Sequence, residues 1–197
     1  MTRNTPKIRH IQTAGTRALI LTLLLSLAGV ATAADVERER RLVAELEASL
    51  FDGDLQRLSA GNVTFAAVEL APDSKPIRGS IILLHGRGVH ADWPDNIGPL
   101  RLALAQNGWY MLSLQMPVLE KSAKYFDYLT ILPEAFPRIE AGIKYLLNNG
   151  HRHIVLLAHS CGAHMAMAWL ETTVGRPIDA FIGICLLYTS PSPRDRG

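Results

Sequence analysis

The chain has 197 residues, 48% of them hydrophobic and 7% aromatic, with two cysteines. That composition excludes collagen-like, low-complexity and disulfide-scaffold proteins. The formal charge is +2, but the excess sits at the ends: residues 34–184 carry 14 Lys+Arg against 17 Asp+Glu, a net of −3. A mildly acidic body without a basic run offers no electrostatic footprint for DNA or RNA, so no nucleic-acid partner is expected.

The first 33 residues read as a signal peptide. All the charges there (Arg3, Lys7, Arg9, Arg17) are positive, and they precede an apolar run from Ala18 to Val30 and the small residues Ala31-Thr32-Ala33. This is the order of n-region, h-region and cleavage site, and the run is short of the ~20 residues that span a bilayer. Cleavage before Ala34 is therefore expected, giving a periplasmic or secreted protein with no stable membrane span.

Apolar residues at Val36, Val43, Leu46 and Leu50 predict an amphipathic helix over 36–51, ended by Asp52-Gly53. Val63 to Leu70 reads as a strand, with Leu55 to Leu58 able to pair with it as a hairpin. Residues 71–79, with two prolines, read as a loop. Ser80 to Leu84 lacks polar alternation, as a strand buried on both faces does. Asn96 to Asn107 is helical by spacing, with Asp92 or Asp95 as cap and Gly108 as stop. Tyr110 to Leu114 is a strand, 118–132 a long connection, Pro133 to Asn148 a helix. His153 to Leu157, Ala163 to Thr173 and Asp179 to Ile184 read as strand, helix and strand. Alternation at this spacing predicts a mostly parallel sheet covered on both faces, a three-layer α/β sandwich.

The last thirteen residues break that character. Cys185 to Asp195 matches one reading frame of a transposon-based sequencing adapter. Residues 185–197 are accordingly expected to be non-native and the domain, residues 34–184, to be C-terminally truncated. The unpaired edge left at residue 184 is expected to promote aggregation. Cys161 is then the one native thiol.

Two strand ends carry the chemistry. Ala158-His159-Ser160-Cys161-Gly162 lies between a buried strand and a helix. A nucleophile elbow needs small residues around a serine, because the strand-to-helix turn is sharp and strained. Ser160 is the candidate nucleophile, with His159 and Gly162 supporting the motif. His85-Gly86-Arg87-Gly88 follows the earlier strand. A developing oxyanion needs two preorganised N–H donors, and the Cys161 and Arg87 amides are the candidates. His85, Gly86 and Gly88 support the loop.

Residues 80–184 resemble the α/β-hydrolase fold. More narrowly, Leu83-Leu-His-Gly-Arg-Gly88, Ala91-Asp-Trp-Pro94, Ile97-Gly-Pro-Leu-Arg101, Pro133 to Glu140 and Ala158 to Gly162 resemble a bacterial family of exported α/β-hydrolase-like proteins of unknown function. The resemblance implies a serine-hydrolase architecture acting on a small-molecule ester or amide, without naming the substrate. The fold's triad continues from Ser to Asp or Glu and then His on later strands, and residues after Ile184 do not supply them. The chain by itself is therefore expected to be inactive. His164, one helical turn after Ser160, is badly aimed for a base. His90 and Asp92 could line a substrate mouth, although a helix cap suits Asp92 better. Cys161 is a possible nucleophile, but the elbow exposes Ser160.

Two rival readings remain. Gly86-x-Gly88-x-x-Ala91 has dinucleotide-binding spacing, but Asp92-Trp93-Pro94 stands where the helix should open and Gln115 where an acidic residue belongs. No cofactor and no metal is therefore expected. The stronger rival is a non-catalytic exported binding protein on a hydrolase fold, because fold does not dictate function.

Overall fold

The computed structural model describes residues 33–73, 76–172, 175 and 177–184. The segment expected to be a signal peptide, as far as Thr32, and the tail from Cys185, expected to be non-native, lie outside the described residues.

Helix α1 (Val36–Ser49) opens on Asp35, whose carboxylate accepts from the Arg38 N–H, the usual role of an aspartate at a helix start. Its buried stripe is Glu39, Leu42, Val43 and Leu46, while Val36, expected on that stripe, is 63% exposed. The stripe is rotated because Glu39 points inward to a charged partner. Arg138 grips it with both terminal nitrogens (2.6 and 3.0 Å), donates to Gln115 O (2.9 Å) and lies 5.3 Å from the Phe65 ring centre. The helix ends at Ser49, before the expected Asp52-Gly53 stop.

Strands β1 (Asp54–Ala60) and β2 (Val63–Leu70) form the expected antiparallel hairpin. β3 (Gly79–Leu84), α2 (Ile97–Gln106), β4 (Trp109–Leu114), α3 (Leu132–Asn148), β5 (Ile154–His159), α4 (Cys161–Thr172) and β6 (Ala180–Ile184) follow. The sheet order is β1-β2-β4-β3-β5-β6. β4, β3, β5 and β6 are parallel, and β2 joins β4 antiparallel. The result is a mixed six-stranded sheet with flanking helices, an α/β fold.

One face buries Ile82, Leu84, Leu112, Leu114, Leu156 and Ala158 under α3 and α4. The other buries Ile81, Leu83, Met111 and Leu157 under α2. Both faces of β3 are thus covered, which explains its unbroken apolar run. Leu46 of α1 packs with Val68 and Ala91. At the open edge, Ile182 of β6 is 48% exposed.

Two local readings are corrected. The residues expected to be a plain connection contain a 3-10 helix over Tyr125–Ile131, with Tyr128 and Ile131 buried. Neither Asp92 nor Asp95 caps α2: its first position is flanked by Asn96, which makes no side-chain cap bond. Asp92 instead takes Arg101 Nε (2.9 Å) and Nη2 (2.8 Å), with the Arg101 side chain 1% exposed. A charged partner within α2 itself holds the carboxylate more firmly than exposed amides at the helix start.

Register sets the functional end. Leu84 lies beside both Leu114 and Ala158, so the segments after β3, β4 and β5 leave the sheet side by side.

Breaking the inward ion pair should be costly, because it strands a buried charge. Arg138→Met is expected to lower unfolding free energy by about 3–5 kcal/mol. Glu39→Met with Arg138→Met together should lose less than Arg138→Met alone, measured by urea denaturation. A double variant as unstable as the summed singles contradicts this.

Candidate active site

Among the described residues Ser160 is the one non-glycine with positive φ, at 53°. The left-handed region costs an L-residue roughly 1–2 kcal/mol, so something must hold it there. Behind it, Ser160 N–H donates to Ile184 O (2.9 Å), extending the β5–β6 ladder. Ahead of it, Ser160 O accepts from Ala163 N–H (3.0 Å), starting α4. The residue is squeezed between a strand that ends late and a helix that begins at once. It is half-buried, not sealed in packing.

Gly162 makes the turn possible. A Cβ there would sit 2.4 Å from His85 O and 3.0 Å from Leu84 O, so the first turn of α4 rests directly on the end of β3. Ala158, where the elbow motif has its first glycine, is fully buried. Gly86 abuts the elbow as well: a Cβ there would lie 3.3 Å from Ser160 Cβ and 2.9 Å from His159 Nδ1. The structure thus brings the His85–Gly88 loop and the Ser160 turn into contact.

The loop's orientation is fixed by His85, which is 1% exposed. Its Nε2 accepts from Met116 N–H (2.8 Å), so Nδ1 carries the proton and donates to Gly86 O (2.7 Å). Burial, opposed by the Gly86 bond, pushes its pKa down from 6.5 to about 3. Gly86 C=O and Arg87 N–H belong to one trans peptide unit, so a bond on the carbonyl aims the N–H the opposite way. The N–H groups of Arg87 and Cys161 make no hydrogen bond among the described residues. Arg87's side chain is drawn away, donating from Nη1 to Ala123 O (2.7 Å).

Other groups have structural employment. His164 Nδ1 lies 3.2 Å from Ser160 O and its Nε2 lies 2.8 Å from the Tyr125 hydroxyl, so both ring nitrogens are engaged away from Ser160 Oγ. The Cys161 thiol is buried, and burial raises its pKa to about 11. It stays protonated. His159 is half-buried, its pKa lowered by burial, and its Nδ1 has no partner among the described residues. His90 Nδ1 accepts from Asp92 N–H (3.2 Å). Both residues line a cavity of about 430 Å³ with Arg101 and Glu45, which Ser160, Cys161 and Arg87 do not line. Gln115 Oε1 accepts from Ala91 N–H (3.1 Å), and Nε2 donates to Met116 O (3.0 Å). It holds the chain after the loop. Ser160 Oγ has no hydrogen-bond partner among the described residues. No group of three His, Cys, Asp or Glu among them is placed to hold a metal ion, and no helix among them is long and apolar enough to cross a membrane.

A family described as "Protein of unknown function (DUF3530)" matches residues 16–130, more than half of the chain. The chain belongs to this family. The family match contains α1 and the His85–Gly88 loop and stops short of the Ser160 elbow. No curated protein matches the sequence. Among solved structures, this DUF3530 chain is similar to a dienelactone hydrolase-like promiscuous phosphotriesterase from metagenomic libraries. The TM-score is 0.55 at 12% identity, covering 73% of this chain and 62% of that one. The dienelactone hydrolase of Anabaena variabilis gives 0.52 at 18%, covering 67% and 62%. An esterase of Pyrococcus furiosus gives 0.50 at 18%, covering 71% and 52%. The chain spans between 52% and 62% of the length of these three proteins. At such identities the likeness shows a shared hydrolase-type fold.

His85 gives a pH signature. Its folded pKa lies below its unfolded value, so the unfolded chain binds the extra proton between pH 6.5 and about 3. Stability is present above pH 6.5 and is lost as pH falls through that window, by up to about 1.4 kcal/mol per pH unit for one proton. Urea denaturation between pH 6 and 4 should show this slope, and His85→Gln should reduce it by about one proton. An unchanged slope contradicts a neutral, buried His85.

Proposed function

We propose that this protein is an exported acyl hydrolase in which Ser160 attacks the carbonyl of a small ester or amide. The observation that carries the reading is the strained φ of Ser160 at a strand-to-helix turn pressed against a loop with a free amide. Holding a serine in that conformation serves no packing purpose, because the side chain is half-exposed and unbonded. It does present a hydroxyl at the end of the sheet.

In the proposed step the Ser160 oxygen adds to the carbonyl carbon and the carbonyl oxygen gains negative charge. The Arg87 and Cys161 amides receive that charge, aided by the N-terminus of α4. The base that takes the Ser160 proton passes it to the departing alcohol or amine, then takes one from the water that hydrolyses the acyl-serine and returns it to Ser160. The proton of Ser160 must go to a base, and no described residue accepts it. The reading assigns the base and the acid that orients it to residues other than those described. The esterase and hydrolase names of the structural neighbours support the reaction class. Export rests on the positive, then apolar, then small-residue order of residues 1–33. Cleavage after Ala33 would turn the Ala34 nitrogen, 3.1 Å from Glu134 Oε1, into an ammonium beside a carboxylate.

That no base among the described residues is hydrogen-bonded to Ser160 Oγ equally suits a non-catalytic binding protein on the same fold. Treating the complete exported protein with a fluorophosphonate separates the two. Covalent labelling that Ser160→Ala abolishes, together with loss of p-nitrophenyl ester turnover by at least about 10³-fold, is the expected result. A folded wild-type protein that stays unlabelled establishes the binding protein instead.

A further inference from the structure

We propose that Arg38 is a positioning residue of this site and that α1, far from the elbow in sequence, is part of the hydrolytic machinery. The inference rests on the serine-hydrolase reading above and adds a part to it.

The guanidinium of Arg38 bridges two backbone carbonyls from different segments. Nη2 donates to Gly88 O at 2.9 Å, and Nη1 donates to Leu119 O. Gly88 closes the loop that carries the Arg87 amide. Leu119 belongs to the segment after β4, which also holds Ala123, the acceptor of the Arg87 side chain. Two arginines, one from each side, therefore fasten the same pair of segments beside Ser160. A planar fork with fixed donor directions suits this task in a way that a flexible ammonium does not.

Gly88 is shaped for the contact. Its φ of +69° turns its backbone in a way side chains disfavour, and a Cβ would meet Arg38 Nη2 at 2.9 Å. The guanidinium occupies the space that a side chain would need. The rest of the loop is fixed by different groups: Gly86 by His85, Ala91 by Gln115 and by Ser113 Oγ, which donates to Ala91 O at 2.5 Å. Arg38 is the side chain that holds the Gly88 carbonyl, two peptide units beyond the Arg87 N–H.

The post from which Arg38 reaches is anchored without its guanidinium. Asp35 N–H donates to Val118 O (2.7 Å), Glu39 pairs with buried Arg138, and Leu46 is fully buried. Removing the guanidinium should leave α1 docked and release the loop. An oxyanion donor works only within a few tenths of an ångström of its place, so the effect should fall on the chemical step more than on binding.

The test uses the complete exported protein and its Arg38→Ala, Arg38→Lys and Arg40→Gln variants. Arg40 lies on the same helix and pairs with Glu37 in solvent. The readouts are the second-order rate of fluorophosphonate modification, kcat and KM on a p-nitrophenyl ester, and thermal unfolding. Arg38→Ala is expected to slow modification and kcat by about 10-fold or more, with KM within about 2-fold and cooperative unfolding retained. Millimolar methylguanidinium should restore part of the rate, Arg38→Lys should remain impaired, and Arg40→Gln should match wild type. A reactive wild type with an equally reactive Arg38→Ala overturns the inference alone. A loss that appears as raised KM or failed folding, without guanidinium rescue, also overturns it. A wild type that is never modified overturns the serine-hydrolase reading and this inference with it.

Discussion

Helix α4 begins on the residue after Ser160 and lays its first turn against the end of β3. The site depends on this contact. With Gly162 so close to His85 O that no side chain fits between them, the elbow and the 85–88 loop cannot be moved independently. Beside that contact Ser160 takes the left-handed region, with φ at 53°, a local cost offset by the ladder bond behind it and the helix ahead of it. Strain of this kind persists only where surrounding structure over-determines the backbone. Here the strand register, the glycine contact and the helix start all converge on one residue.

Around that contact the protein spends its buried polar groups on holding backbone. His85 stays neutral because both of its nitrogens are committed, one to a carbonyl and one to an amide, in a setting that excludes water. Gln115, Ser113 and Arg38 each take a main-chain group from the segment between Gly88 and Ala91 or its neighbour after β4. Such groups would be expensive if left unpaired, and satisfied they fix the loop in a single arrangement. The buried Glu39–Arg138 pair plays the same part at longer range. It seats α1 on the end of β4, where Gln115 O completes the arginine's coordination.

The sheet and its crossovers were legible because their signals are local. Ile81 to Leu84 and Ile154 to Leu157 show unbroken apolar character, and Gly108 stops a helix where the chain turns. The elbow was legible for the same reason, since Gly162 stands two residues from the serine it serves. What could not be read were pairings made across the chain. Glu39 and Arg138 are 99 positions apart, and Arg38 and Gly88 are 50 apart. Nothing in the sequence around Arg38 distinguishes it from Arg40 or Arg41. Asp92 reads as a cap because a nearby helix start is the commonest use of an aspartate, whereas Arg101, nine residues on, is the stronger partner. The 3-10 helix at Tyr125–Ile131 is too short to show a period. Gln115 looked like a missing acid, and its actual task, holding Ala91, is visible only in three dimensions.

The central proposal is that Ser160 and the Arg87 and Cys161 amides act on one reacting carbonyl. The most direct measurement is a crystal structure of the complete protein after reaction with a phosphonate that mimics the tetrahedral intermediate. The account expects phosphorus bonded to Ser160 Oγ, with the phosphoryl oxygen about 2.7–3.1 Å from both the Arg87 and Cys161 nitrogens. Phosphorus on another side chain, or a phosphoryl oxygen turned away from a retained Arg87 amide, would contradict it.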